Sequence, residues 1–185
     1  MRPFFSLHAG EQLVAAHIEQ RFRRVQLWVP TRDTGVDLLV SGRNHRRTVA
    51  LQVKYSKDFL VTNPARFGPL FQQNLRACGW WTITRDKLQR SPADYWVFVL
   101  HGFAARTVDY VVIPPKELWR RIRMRTPTKT KVHLYLWTTA AGRCWETRDV
   151  KRTDELRILA GAYQNDRHDF TRWLDNWSSL TRLNR

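Results

Sequence analysis

Cysteine is scarce in this chain. Only Cys78 and Cys144 occur among 185 residues, and neither belongs to a CxxC pair. That count and spacing exclude a disulfide framework and a cysteine-rich zinc motif. Acids are also few, 16 Asp plus Glu against 32 Lys plus Arg, which leaves a formal net charge of +16. A surplus of that size favours a polyanionic partner. No apolar run reaches the ~18 residues that a membrane-spanning helix needs. Nucleic acid is therefore expected ahead of an anionic membrane surface. Residues Met1 to His8 contain no apolar h-region, so no secretory signal is expected. With so few thiols, the reducing cytoplasm is the expected compartment. No internal repeat and no low-complexity linker divides the chain.

Hydrophobic residues make up 43% of the 185, enough for a globular core. One domain over residues 1–185 is expected, with a core at about 6–125 and a C-terminal extension at about 126–185. Val14, Ile18 and Phe22 recur at helical spacing, which predicts a helix from about Leu7 to Arg24. Strands are predicted at Val25–Val29, Gly35–Val40 and Thr48–Lys54, with Ser41–His45 as a turn. Leu70–Cys78 and Asp86–Gln89 read as helices, and the apolar run Tyr95–Leu100 as a buried central strand. Asp109–Ile113 is the next strand, and Pro115–Arg123 a helix with proline in its first turn. A hairpin is predicted from Val132–Trp137 and Cys144–Thr147, then helical segments near Thr153–Tyr163 and His168–Trp177. The pattern indicates an α/β domain whose mixed central sheet is flanked by helices, with a C-terminal hairpin and helices.

Strand periodicity singles out three polar residues. Side chains alternate faces along a strand. Val36, Leu38 and Val40 share one face and leave Asp37 on the other. Val49, Leu51 and Val53 share a face, and Gln52 and Lys54 take the opposite one. If these strands pair as a hairpin, an acid, an amide and an ammonium converge. Glu11 extends the helical stripe one turn back from Val14 and is a fourth candidate. A carboxylate aimed at the sheet needs a cation beside it.

Those groups suit phosphodiester hydrolysis. Mg²⁺ takes hard oxygen ligands and keeps several waters. Asp37 supplies an anionic oxygen, Gln52 a neutral carbonyl, and the Val53 backbone carbonyl a third candidate ligand. Lys54 can orient the attacking water or stabilise charge on the phosphate. The elements Gly35-Val36-Asp37 and Gln52-Val53-Lys54 resemble the D…(E/Q)xK signature of the PD-(D/E)XK nuclease superfamily. Glu11 is similar to the first-helix glutamate of many members, including Holliday-junction resolvases, and the Gln-x-Lys version resembles the Mrr-like branch. The match covers about Gly10 to Lys54, and the later elements follow it in order only.

The resemblance implies a restriction-endonuclease-like αβββαβ core. It also implies a Mg²⁺-dependent endodeoxyribonuclease (Mn²⁺ substituting) acting in defence or in DNA repair and recombination. Asp37 and Gln52 would be metal ligands, Lys54 catalytic, and Glu11 an auxiliary ligand or acid. A homodimer that cuts two strands is a further implication. Two positions depart from the pattern: Val36 replaces the usual proline before the aspartate, and Gln52 replaces the usual acid. The second removes a negative charge from the metal site, and it motivates an alternative: a non-catalytic DNA-binding module that keeps the fold. A third alternative is an RNA-acting component or a subunit of a larger complex.

Further residues are candidates for nucleic-acid contact. Ser56 and Lys57 follow the site directly and could hold the phosphate backbone; a plain polar loop explains them equally well. Arg120, Arg121, Arg123, Arg125 and Lys129 form a basic run with few acids nearby, and DNA contact is the favoured expectation there. Trp80-Trp81 and Trp173/Trp177 are expected in core or interface ahead of base stacking.

Overall fold

The computed structural model describes residues 8–32, 34–57, 68–102, 106–125 and 129–183. Helix α1 (Ala9–Arg21) precedes an antiparallel meander of β1 (Val25–Trp28), β2 (Leu38–Gly42) and β3 (Thr48–Lys57). The chain then runs through α2 (Gly68–Asn74), β4 (Leu75–Thr84) and α3 (Arg85–Gln89). It returns as β5 (Tyr95–Gly102), parallel to β3 with Leu51 opposite Tyr95. Strand β6 (Thr107–Ile113) pairs antiparallel with β5. The result is a mixed five-stranded sheet in the order β1-β2-β3-β5-β6. After α4 (Pro115–Arg125) come β7 (Lys131–Thr139) and β8 (Cys144–Glu146), which join β4 in a second, three-stranded sheet. Helix α5 (Arg152–Leu159), a 3-10 turn (Thr171–Trp173) and α6 (Ser178–Thr181) finish the chain.

Alternation along the strands sorts the apolar residues into layers. Leu38, Leu51, Val53, Val97, Val99 and Val112 face α1, where they bury Val14 and Ile18. Gly10 lets the helix come close: a Cβ there would stand 2.6 Å from the Tyr55 Cβ. On the other face, Trp96, Phe98, Leu100, Val111 and Ile113 meet Trp81, Ile83, Leu134 and Leu136 of the small sheet. The far side of the small sheet buries Cys78, Trp137 and Trp145 against Phe71 of α2 and Ile158 and Leu159 of α5. The layers therefore run helix, five-stranded sheet, three-stranded sheet, helices.

Two predicted helices are different in the structure. The helix expected over Leu70–Cys78 stops at Asn74, and a ten-residue strand, β4, follows. Its period-two burial places Ala77, Trp81 and Ile83 inward, but its partner β7 lies far along the chain, and nothing local announces that pairing. Because β7 lies beyond residue 125, the expected core and extension share one interior. The segment expected as a helix over His168–Trp177 contains only the 3-10 turn. Its aromatics are drawn to different layers: Phe170 and Trp173 enter the inter-sheet core, and Trp177 the α1 side. Backbone bonds Phe170 N to Cys144 O (2.8 Å) and Asp175 N to Tyr110 O (2.7 Å) hold that path. No helix among the described residues is long and apolar enough to cross a membrane.

A buried charge ties the two sheets together. Asp109 of β6 is 8% exposed. It accepts a hydrogen bond from Thr138 Oγ1 at 2.5 Å and pairs with Arg76 Nε at 2.9 Å. Burial pushes its carboxyl above the ordinary value of 3.8, against the pull of Thr138 and Arg76. The folded protein therefore holds this proton more tightly than the unfolded chain does. The group's contribution to stability is largest below pH 3.8 and declines as pH rises through the elevated folded value. Asparagine keeps the shape and carries no charge, so the stability of Asp109→Asn relative to wild type should improve as pH rises through that window. Urea unfolding at a series of pH values measures the difference, and a flat difference would contradict the assignment.

Candidate active site

The site begins where the β2–β3 ladder ends. Gly35 adopts φ +84, a left-handed conformation that glycine accommodates without strain, and it turns the chain toward β2. The last register pair is Leu38 with Leu51. One residue earlier, the Asp37 amide still donates to Leu51 O at 2.8 Å. The Asp37 side chain then takes over from the backbone: its Oδ2 accepts the Val53 N–H at 2.6 Å. A carboxylate can accept about four hydrogen bonds, so this one does not exhaust it. Val53 lies beyond the β2–β3 ladder, and its N–H is met by the Asp37 carboxylate in place of a strand partner.

The three residues singled out by alternation share a surface. Gln52 stands beside Trp96 and Lys54 beside Phe98 across the parallel β3–β5 pair. This is the face turned away from α1. Asp37, Gln52 and Lys54 all line one cavity of about 500 Å³. Lys54 Nζ lies 5.2 Å from the centroid of the Trp96 ring, a cation–π contact that fixes the end of a flexible side chain. Trp96 is itself anchored, with Nε1 donating to Ser91 Oγ at 2.8 Å.

The opposite wall comes from the small sheet and α3. Strand β4 touches β3 where Trp80 N donates to Ser56 Oγ at 3.1 Å. Farther along β4, Thr82, Ile83 and Thr84 border the cavity, followed by Asp86, Lys87 and Arg90. Asp86 Oδ1 and Arg90 Nε form an i,i+4 ion pair at 2.8 Å. The lining thus carries three cations, Lys54, Lys87 and Arg90, against two carboxylates, Asp37 and Asp86, a balance that suits a polyanion. The wall residues of β4 and α3 escaped the sequence reading. No spacing links them to β3; the crossover alone brings them there.

Other sequence candidates lie elsewhere. Glu11 belongs to α1, on the opposite side of the sheet from Gln52 and Lys54, and is not part of the cavity lining. Its Oε2 accepts the His8 N–H at 3.1 Å, half of a capping box at the start of the helix. Ser56 is buried, and its hydroxyl joins β3 to β4 as described. Arg121 is a structural tie, its side chain only 11% exposed. It donates to the carbonyls of Asp166 (3.0 Å) and Asp169 (2.8 Å) and stacks over Trp173 at 4.3 Å. Arg120 pairs with Glu117 at 2.7 Å in the open, and Arg123 and Lys129 are exposed. The side chains of Lys57 and Arg125 lie outside the described residues.

The donor set decides which metal these residues fit. Among the described residues, no three His, Cys, Asp or Glu side chains gather as a metal cluster. A soft or high-charge site is therefore a poor fit. One carboxylate and one amide oxygen on a single wall, Asp37 and Gln52, fit a hard ion that retains waters and shares its sphere with substrate phosphate, as Mg²⁺ does. Val53, expected to add a backbone carbonyl, meets the site through its N–H to Asp37 and is not part of the cavity lining. Comparisons with family models, with curated proteins and with solved structures each found no match.

Proposed function

We propose that this chain is a Mg²⁺-dependent deoxyribonuclease of the PD-(D/E)XK type. The observation that carries the reading is the shared wall: Asp37, Gln52 and Lys54 line one cavity, on the sheet face opposite α1. The architecture supports it. A helix, an antiparallel three-stranded meander and a strand returning parallel to the third follow the order of a restriction-endonuclease-like core, with β4 inserted in the crossover.

A divalent ion held by Asp37 and Gln52 would supply positive charge to the scissile phosphate. The chain's own groups perform the rest. The bond from Val53 N–H holds the Asp37 carboxylate in place. The Lys54 ammonium, fixed over Trp96, donates hydrogen bonds to the attacking water or to a phosphate oxygen and opposes the charge that builds there. Lys87 and Arg90, on the opposite wall, hold flanking phosphates. DNA is the proposed substrate, cleaved in the cytoplasm. A homodimer would present two such clefts to two strands.

One observation favours a second reading. Asp37 completes the end of a β-ladder, a purely structural task, and Gln52 brings no charge. A non-catalytic DNA-binding module would retain both. The experiment separates the two. The wild-type protein should nick or linearise supercoiled plasmid with Mg²⁺ and stop when EDTA is added. In calorimetric titration with Mn²⁺, Asp37→Asn should weaken binding about tenfold or more, since one charged ligand is lost. Asparagine keeps an oxygen for the Val53 N–H, so loss of fold does not explain that result. Cleavage that persists in EDTA, or Mn²⁺ affinity unchanged in Asp37→Asn, would sink the proposal.

A further inference from the structure

The three-stranded sheet has an outer face that α2 and α5 cover only in part. Beyond the covered residues Cys78, Trp137 and Trp145, the same face continues with Trp80, Thr82 and Thr84 of β4 and Lys131, His133 and Tyr135 of β7. Trp80 is 45% exposed although it lies mid-strand. It stands directly opposite Tyr135, with ring centroids 6.3 Å apart and planes within 23°. His133 lies diagonally, 6.3 Å from Trp80, and its Nδ1 is 3.1 Å from Thr82 Oγ1. Three rings thus present a surface to solvent. These six positions include no acid. Exposed Lys131 closes one end, and Arg148 reaches the His133 carbonyl at 3.4 Å. Thr82 also borders the cleft, so platform and cleft are continuous around the edge of β4.

We infer that Trp80, Tyr135 and His133 form a stacking platform for unpaired nucleobases of a DNA strand that passes through the cleft. The inference rests on the nuclease reading and names its substrate class: DNA with a single-stranded portion. Flat rings bind the π-faces of bases with little regard to sequence, and nearby cations follow the phosphates. A rigid sheet holds the rings without an ordering cost at binding. A base pair inside a duplex hides its faces in the stack, so duplex DNA gains nothing from this surface.

The test measures binding by fluorescence anisotropy, with the full chain and EDTA present. The probes are a labelled oligo-dT strand and a labelled duplex of equal length. Trp80→Ala should weaken binding of the single strand by about tenfold or more and binding of the duplex by less than about twofold. Trp80→Phe should restore most of the loss, because a ring is kept. The dependence of affinity on salt should not change in slope, since no phosphate contact is removed. Trp80 is exposed, so an unchanged melting profile should accompany the variant. An equal loss on both probes, or no loss on the single strand, would overturn the inference. Cleavage plays no part in this readout, so an inactive catalytic site leaves the result intact, and failure of the platform leaves the Mn²⁺ titration unaffected.

Discussion

Lys54→Met should lower the rate of Mg²⁺-dependent DNA cleavage by about 10²–10³-fold, the usual cost of removing one group that stabilises transition-state charge. The ammonium lies on the wall shared with Asp37 and Gln52, its position set by the Trp96 ring. Its three N–H donors can follow charge as it moves from water to phosphate. Methionine occupies similar space and can lie against the indole, so the wall keeps its shape. Mn²⁺ binding should persist in this variant, because an ammonium is no ligand. That would separate Lys54 from Asp37, the proposed ligand, whose replacement should act on the ion itself. Single-turnover cleavage at saturating Mg²⁺ reads the effect. A fall of less than about threefold would remove Lys54 from the chemistry.

Phe98→Ala should destabilise the protein by about 3–5 kcal/mol, the range for emptying a buried aromatic site. Phe98 is completely buried at the centre of the inter-sheet core. Its ring meets Trp81 edge-on at 4.9 Å and Trp96 at 6.1 Å. Those two partners come from different sheets, so the ring joins them. Its surroundings are strands on both sides, which collapse poorly into a void. For a chain of this length the melting temperature should fall by roughly 10 °C. Urea unfolding monitored by circular dichroism measures it. A cost below about 1 kcal/mol would mean that the two sheets are not packed through this residue. Because Trp96 also supports Lys54, catalysis in this variant should decline along with stability.

Much of the first half is legible in the sequence. The meander follows from alternation in Val25–Val29, Gly35–Val40 and Thr48–Lys54, which the structure forms as Val25–Trp28, Leu38–Gly42 and Thr48–Lys57, with the second strand running two residues into the expected turn. The same alternation assigned Asp37, Gln52 and Lys54 to one face. The Glu11 stripe was also visible, but periodicity along a helix gives its inner face without saying which sheet surface it meets. Val14 and Ile18 dock on the Leu51 and Val53 side, and that choice separates Glu11 from the cavity. Strand β4 was missed because its partner is distant in sequence, and the basic run at Arg120–Lys129 mixed exposed residues with the half-buried tie Arg121.

By itself, the amino-acid order determined the net charge, the apolar periodicities and therefore which side chains of each strand travel together. Those are local properties, set by sterics within a few residues of backbone. Tertiary structure alone decided that β4 and α3 face β3 across a cleft, that Lys87 and Arg90 complete its lining, and that Trp80 stays in solvent while Trp81 is buried. Such outcomes depend on contacts between segments remote in the chain, where the burial of whole layers outweighs any local preference.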